Sequence, residues 1–318
     1  MTTLTSLLDY ASLVPGPIPS VSPLSDQSGS SGGPLWATLL VGLLGGLLGG
    51  TGTYFGARRS ARSARQSAEK SLKHERTRLL NERFTTAAEL LGHDEAACRL
   101  AGVHAMAGLA DDWTKRRQTC INVLCAYLRM PYSPQPDDTA PAEERLNWQA
   151  NREVRRTVVR TIGDHQQVTQ APSTTSWDGH DYDFTGTVFD SGDFSSARFT
   201  GEVRFKDTKF TGGRVSFRGA EFSEGSKVTF YRAEFTKGST VSFKGAQFTE
   251  GSTVGFRGAQ FTGGTVDFRG AQFTGGTVDF SKVGSWTVPL VFDNGVLAHP
   301  PAGLLLPTPD STGEAATS

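Results

Sequence analysis

The sequence predicts a mainly β chain: a Phe-cored stack of short strands, preceded by a membrane-spanning helix and a small helical module. Three observations predict it. Of the 20 Phe in 318 residues, 18 fall between Phe184 and Phe292. No Asp, Glu, Lys or Arg occurs between Asp26 and Arg58. Between those two regions, apolar residues recur at intervals of three and four, the helical period.

The Phe series acts as a ruler. It opens with steps of five (Phe184, Phe189, Phe194, Phe199); from Phe205 a step of five alternates with one of seven or eight. Two residues before most Phe stands a small or β-branched residue, as in Ala246 before Phe248 and Val254 before Phe256. In an extended chain, residues two apart share a face, so each pair points inward together. A helix cannot hold one face at intervals of five, seven and eight. Short strands with Gly-containing corners can. Each segment offers only two inward residues, so neighbours must stack to make a core. The expected core includes Phe217, Phe222, Phe230, Phe235, Phe243, Phe248, Phe256, Phe261, Phe268 and Phe273. Burial contributes roughly 1.5–3 kcal/mol gross for each.

The units Ala197-Arg198-Phe199-Thr200-Gly201 and Ala259-Gln260-Phe261-Thr262-Gly263 resemble the pentapeptide-repeat family, and the likeness covers about residues 178–292. The resemblance implies a right-handed quadrilateral β-helix with one pentapeptide per side. The longer alternate steps depart from that pattern; inserts such as Glu250-Gly251-Ser252 must bulge at corners. The helical stretch DEAACRLAGVHAMAGLADDW, with RQTCINVLCAYLRMPY after it, resembles a module that precedes such repeats in membrane-anchored proteins common in actinobacteria.

Residues 33–56 are long enough to cross a bilayer as a helix. The first base of the chain is Arg58, followed by Arg59, Arg62 and Arg65. The positive-inside rule then puts the N-terminus outside and the bulk of the chain in the cytoplasm. A cleaved signal peptide needs a basic start, and none precedes this run. Gly42, Gly46 and Gly50 fall four apart, a spacing that lets two membrane helices approach and form a homodimer. Residues 1–32, rich in Ser, Pro and Gly, are expected as a disordered external tail.

Residues 57–164 are expected as a cytoplasmic helical module. A first helix, over 60–91, carries Ala61, Ala64, Ala68, Leu72 and Leu79 on a stripe and stops at Gly92. Asp94 is placed to cap a second helix, with Ala97, Leu100, Ala101, His104, Ala105 and Leu109 on one side. Thr114 is placed to cap a third, carrying Ile121, Leu124, Cys125 and Leu128, before Pro131. A fourth, over 142–162, carries Leu146, Ala150, Val154, Val158 and Ile162 and ends at Gly163. Residues 165–298 then form the β-helix, with Trp286, Leu290, Val291, Phe292 and Leu297 capping its open end. Residues 299–318 are expected as a flexible tail.

The search for chemistry yields no catalytic constellation, no cofactor motif and no metal set. Cys120 and Cys125 are five apart and poorly placed to share a ligand. Asp178, Asp181, Asp183, Asp190 and Asp193 crowd the solenoid start, but that spacing does not make their oxygens converge. Members of the resembled family that imitate DNA and inhibit topoisomerases imply an alternative role. It needs a dense acidic stripe; residues 177–293 hold 14 acids against 13 bases, so a nucleic-acid role is disfavoured. Imposing a four-sided winding places Lys206, Arg232 and Arg257 on one edge, and Arg218, Lys244 and Arg269 on the opposite edge. The expectation is a non-enzymatic, membrane-anchored scaffold whose partners are the lipid bilayer and an unidentified protein.

Overall fold

The computed structural model describes residues 64–133, 135–167, 175–288 and 290–307. The chain divides into two compact units, Met1–Lys70 and Ser71–Ser318. In the first, residues 64–70 are helical. The expected span at 33–56, its glycines, the flanking Arg58, Arg59 and Arg62, and the tails at 1–32 and beyond 307 lie outside the described residues. Among the described residues no helix is long and apolar enough to cross a membrane.

The second unit begins with α1, which within it covers 71–91. It continues with α2 (Ala96–Asp112), a single 3-10 turn at Thr114–Arg116, α3 (Arg117–Arg129) and α4 (Ala142–Gln166). α2 buries Gly102, Val103, Met106, Ala107, Leu109 and Ala110, while Ala101, His104 and Ala105 face outward. This corrects the expected face. So many α2 positions are Ala or Gly that periodicity alone does not select one side. α3 and α4 bury the stripes expected of them (Ile121, Leu124, Cys125, Leu128; Val154, Val158, Ile162), except that Leu146 is exposed. Leu72 and Leu79 of α1 also face solvent.

Nineteen short strands follow, from β1 (Tyr182–Asp183) to β19 (Leu304–Leu305). They wind as about five turns of a four-sided β-solenoid. Every fourth strand returns to the same face. One sheet runs β1, β5 (Glu202–Arg204), β9 (Lys227–Thr229), β13 (Thr253–Gly255), β17 (Thr277–Asp279) and β19; the next β2 (Val188–Phe189), β6 (Lys209–Phe210), β10 (Glu234–Phe235), β14 (Gln260–Phe261) and β18 (Ser285–Trp286); the third β3 (Gly192–Asp193), β7 (Arg214–Ser216), β11 (Thr240–Ser242) and β15 (Thr265–Asp267); and the fourth β4 (Arg198–Phe199), β8 (Glu221–Phe222), β12 (Gln247–Thr249) and β16 (Gln272–Thr274). All neighbouring strands pair in parallel, with like residues opposed: Val228 (β9) meets Val254 (β13), and Phe235 (β10) meets Phe261 (β14).

The inward residues therefore form columns. Phe205, Phe230 and Phe256 stack with centroids 4.7 Å apart, and Phe217, Phe243 and Phe268 stack at 4.9 and 4.7 Å. These two columns meet edge to face across the axis, as in Phe230 against Phe243 at 6.0 Å. Both geometries match the preference of aromatic quadrupoles. From the second coil on, the first and third faces carry a Val two residues before the corner Phe, where the first coil has Tyr182 and Gly192. The second and fourth faces carry Ala or Thr there, which leaves room for the Phe columns.

Alternate corners differ in kind. Between the first and second faces, and between the third and fourth, two residues turn the chain. A hydrogen bond such as Ala246 N–H to Phe243 O (2.9 Å) closes the turn, and its second residue has positive φ, usually a Gly such as Gly245 at 68°. The other two corners hold the inserts. Steps of eight come from Ser-Glu-Gly-Ser, Thr-Lys-Gly-Ser and Thr-Glu-Gly-Ser corners; in the last, Gly251 has φ 77° and the Ser hydroxyl returns to the Thr carbonyl (Ser252 Oγ to Thr249 O, 2.7 Å). Steps of seven come from Thr-Gly-Gly, one residue shorter. In the fourth coil a Cβ on Gly264 or Gly276 would collide with the Ser hydroxyl of the coil above.

Both ends are closed. At the C-terminal end Phe292 stacks on Phe268 at 5.2 Å, Trp286 pairs opposite Phe261, and Leu290 is buried. Leu297 is exposed and takes no part. Leu304 does instead: β19 adds to β17, Leu304 lies opposite Val278, and the solenoid continues past the expected boundary at 298. A one-strand segment after a Pro-Pro-containing loop shows no alternation from which to read it.

The N-terminal end is closed by the helical module. The side-chain amide of Gln118 accepts from the Asp181 N–H (3.0 Å) and donates to the Asp181 carbonyl (2.8 Å), and Arg129 donates to the Asp183 carbonyl. Arg155 donates to Val188 O at 3.0 Å on the second face. On the third face Gly163 lies directly against the Asp193 carbonyl, and on the fourth Gln167 pairs with Ala197. A solenoid's first coil exposes unpaired edge groups on all four sheets; here helices supply partners to them. Helix α4 accordingly runs to Gln166, past the expected stop at Gly163.

Candidate interaction surface

The solenoid's outward positions are mostly hydroxyls and charges held on a rigid lattice. Thr residues following the Phe lock successive coils: Thr236 Oγ1 donates to Phe210 O at 3.0 Å and Thr287 Oγ1 to Phe261 O at 2.8 Å. Their chemistry is spent on the fold. The charged corners are what face outward.

On the third-to-fourth-face edge, Arg218, Lys244 and Arg269 occupy the same place in successive coils, two residues beyond the in-register Ser216, Ser242 and Asp267. All three bases are exposed. Arg269 pairs with Asp267 at 2.7 Å, and this hydrogen bond holds the Asp267 carboxyl below the usual carboxylate range. Arg218 and Lys244 have no carboxylate within 4 Å among the described residues. The geometry brings this expected trio together.

On the opposite edge the expected trio is not one column. The matched places hold Thr185, Lys206, Tyr231, Arg257 and Ser281. Arg232 stands one place on, aligned with Asp207, and its Nε lies 3.2 Å from Asp207 Oδ1. The shift is one of offset: Arg232 is the second residue after Phe230, whereas Lys206 and Arg257 are the first after Phe205 and Phe256. Lys282, the second residue of the next corner, belongs to this edge and was missed; its signal is the same Phe-x-x offset, Phe280-Ser281-Lys282.

Of the expected core Phe, Phe217 through Phe268 are at most 1% exposed, while Phe273, in the last strand of its sheet, is only partly buried. Arg65, the one base expected to flank a membrane span that falls among the described residues, is exposed on its helix.

The acidic cluster at the solenoid start does not converge. Asp178 accepts from Gly179 N–H and Thr200 Oγ1, Asp181 from Glu202 N–H, and Asp193 from Ser195 N–H. Asp190 accepts from Arg152 Nε and Tyr132 Oη, both at 2.8 Å. Burial, then that carboxylate, pushes the Tyr132 phenol upward. These are corner and cap partners spread over three faces. Among the described residues no group of three or more His, Cys, Asp or Glu could hold a metal ion.

Two clefts have no signal in the sequence, one inside the helical module and one where α4 meets the strands. A cleft of about 470 Å³ is lined by Tyr127, Tyr132, Trp148, Arg99 and Arg155. Its cations already have partners: Arg99 binds the His93 carbonyl and Asn151 Oδ1, and Arg155 binds Leu128 O. Burial lowers the Arg155 pKa. A second cleft, of about 430 Å³, collects Arg156 and Arg160 of α4 with Arg214 of β7. No local motif foretells it, since the three arginines converge only after folding.

The comparisons with known proteins agree with the repeat and go no further. No curated protein and no solved structure matches the chain. Residues 184–234 match the family model described as pentapeptide repeats (9 copies), within the four-sided solenoid described above.

Proposed function

We propose that this chain is a non-enzymatic protein-interaction module, a rigid solenoid that presents charged corners to a partner and is held at the cytoplasmic face of a membrane. The observation that carries the reading is the edge at Arg218 and Lys244: in-register bases, exposed, with no carboxylate within 4 Å among the described residues. Like charges repeated at coil spacing repel one another, and a partner anion relieves that repulsion. The helical module closes the first coil and so sets where the solenoid begins. The right-handed winding belongs to this reading, by likeness to the repeat family.

Membrane attachment rests on the uncharged run before Arg58 and on the bases Arg58, Arg59, Arg62 and Arg65 that follow it. The Gly42, Gly46 and Gly50 spacing supports pairing of two such spans. Proximity labelling from a C-terminal fusion in intact cells tests the reading. Cytoplasmic, membrane-adjacent neighbours support it. Exclusively extracytoplasmic neighbours overturn the orientation, and labelling of freely diffusing proteins alone overturns the anchor.

A further inference from the structure

We propose that the edge formed by Arg218, Lys244 and Arg269 binds an α-helix carrying one row of carboxylates, laid parallel to the solenoid axis. The inference rests on the interaction-module reading and names the partner's chemistry. It starts from spacing. Successive coils put like residues about 4.8 Å apart, so the edge offers one cation per coil. An α-helix advances about 5.4 Å per turn, so Glu or Asp at three- and four-residue intervals offers one carboxylate per turn on a single face. Over three coils the two rulers drift apart by only about 1 Å, which long Arg and Lys side chains absorb. Acidic side chains of an extended segment recur every two residues at about 6.6–6.8 Å, and that mismatch grows by roughly 2 Å at each coil.

The surroundings favour the same occupant. On the third face the rows beside the bases are Arg214, Thr240 and Thr265, then Ser216, Ser242 and Asp267; apart from Arg214 these are short side chains that let a cylinder approach closely. No aromatic ring stands among these outward positions, so a nucleic acid would find nothing to stack on. Nor does any apolar side chain there offer itself to a headgroup boundary. Asp267 and Arg269 satisfy each other, so Arg218 and Lys244 carry most of the recognition.

The test uses the full chain and fluorescence anisotropy with four probes: a helical peptide with one Glu per turn on one face, the same composition with two central prolines, an oligothymidylate of equal charge, and vesicles of neutral and anionic phospholipid. The expected result is binding of the helical peptide at least tenfold tighter than of the proline peptide, weakening as salt rises. The double variant Arg218→Glu/Lys244→Glu loses at least tenfold, while Lys206→Glu/Lys282→Glu on the other edge does not. Equal binding of the two peptides, or preference for oligothymidylate or anionic vesicles, overturns the helix proposal but leaves an interaction module standing. Failure of every probe to bind overturns it as well, while partners found by proximity labelling would still support the broader reading. Both double variants change exposed side chains only, and circular dichroism checks that each is folded.

Discussion

Asp207 and Arg232 occupy the same corner one coil apart, both in the left-handed backbone conformation (φ 52° and 55°), with Arg232 Nε 3.2 Å from Asp207 Oδ1. Elsewhere this second corner position is usually Gly, as at Gly186, Gly219, Gly245, Gly258 and Gly270. A side chain in that conformation costs roughly 1–2 kcal/mol, and an exposed ion pair returns about 0–1 kcal/mol. The pair therefore does not offset its own strain.

Arg232→Gly should accordingly be neutral to stabilising, by up to about 1 kcal/mol, after the entropy cost of Gly and the lost ion pair are subtracted. Arg232→Ala should be neutral or slightly destabilising, since it keeps the strain and loses the pair. Urea midpoints at constant slope compare the two. Equal destabilisation by both variants would contradict the account.

Gly163 predicts the opposite sign from helix propensity. An interior Gly→Ala change in a helix ordinarily gains about 1 kcal/mol. Here a Cβ would run into the Asp193 carbonyl, where α4 seats on the third face. Gly163→Ala should cost about 2 kcal/mol or more, and hydrogen exchange should rise first in α4 and the first coil. A gain in stability would show that the helical lid does not seat there.

The Phe columns predict graded losses. Phe243→Ala removes a ring stacked on both sides, against Phe217 and Phe268, and should cost about 3–5 kcal/mol. Phe273 stacks on Phe248 alone and is partly exposed. Phe273→Ala should cost about half as much. Denaturant titration of the pair measures the ratio; similar losses would mean that the last coil is covered by more than the described residues.

The cysteines report on the helical module. Burial pushes the Cys120 thiol up to about 11 and the Cys125 thiol up to about 12, whereas Cys98 is only partly buried. The thiolate is the reactive species. At pH 8 the native chain should label once with a maleimide, at Cys98, and three times after unfolding. Early labelling of Cys125 would mean that α3 is not held against the solenoid.

Much of this fold was legible in the chain itself. Inward residues two apart, Val254 with Phe256 or Ala246 with Phe248, report a strand whatever surrounds them, because backbone pleating alone sets that period. The Thr-Glu-Gly-Ser and Thr-Gly-Gly inserts reported two corner lengths for the same reason: they are local. The misreadings were all matters of what lies next to what. Arg232 lies one corner position off the column of Lys206 and Arg257, Gly163 continues its helix instead of ending it, Leu297 is exposed instead of capping, and Leu304 is buried instead of trailing.

The excess of Phe and its repeat were properties of the sequence alone, and they determined a stack of short strands, to which the likeness to pentapeptide repeats added four sides. Tertiary structure decided which bases share an edge, which helix face is buried and how both ends are closed. Backbone periodicity acts between residues a few places apart and is written in order along the chain. Register and capping join residues more than twenty places apart, as when Arg155 reaches Val188 or Leu304 covers Val278, and only the packed chain brings those together.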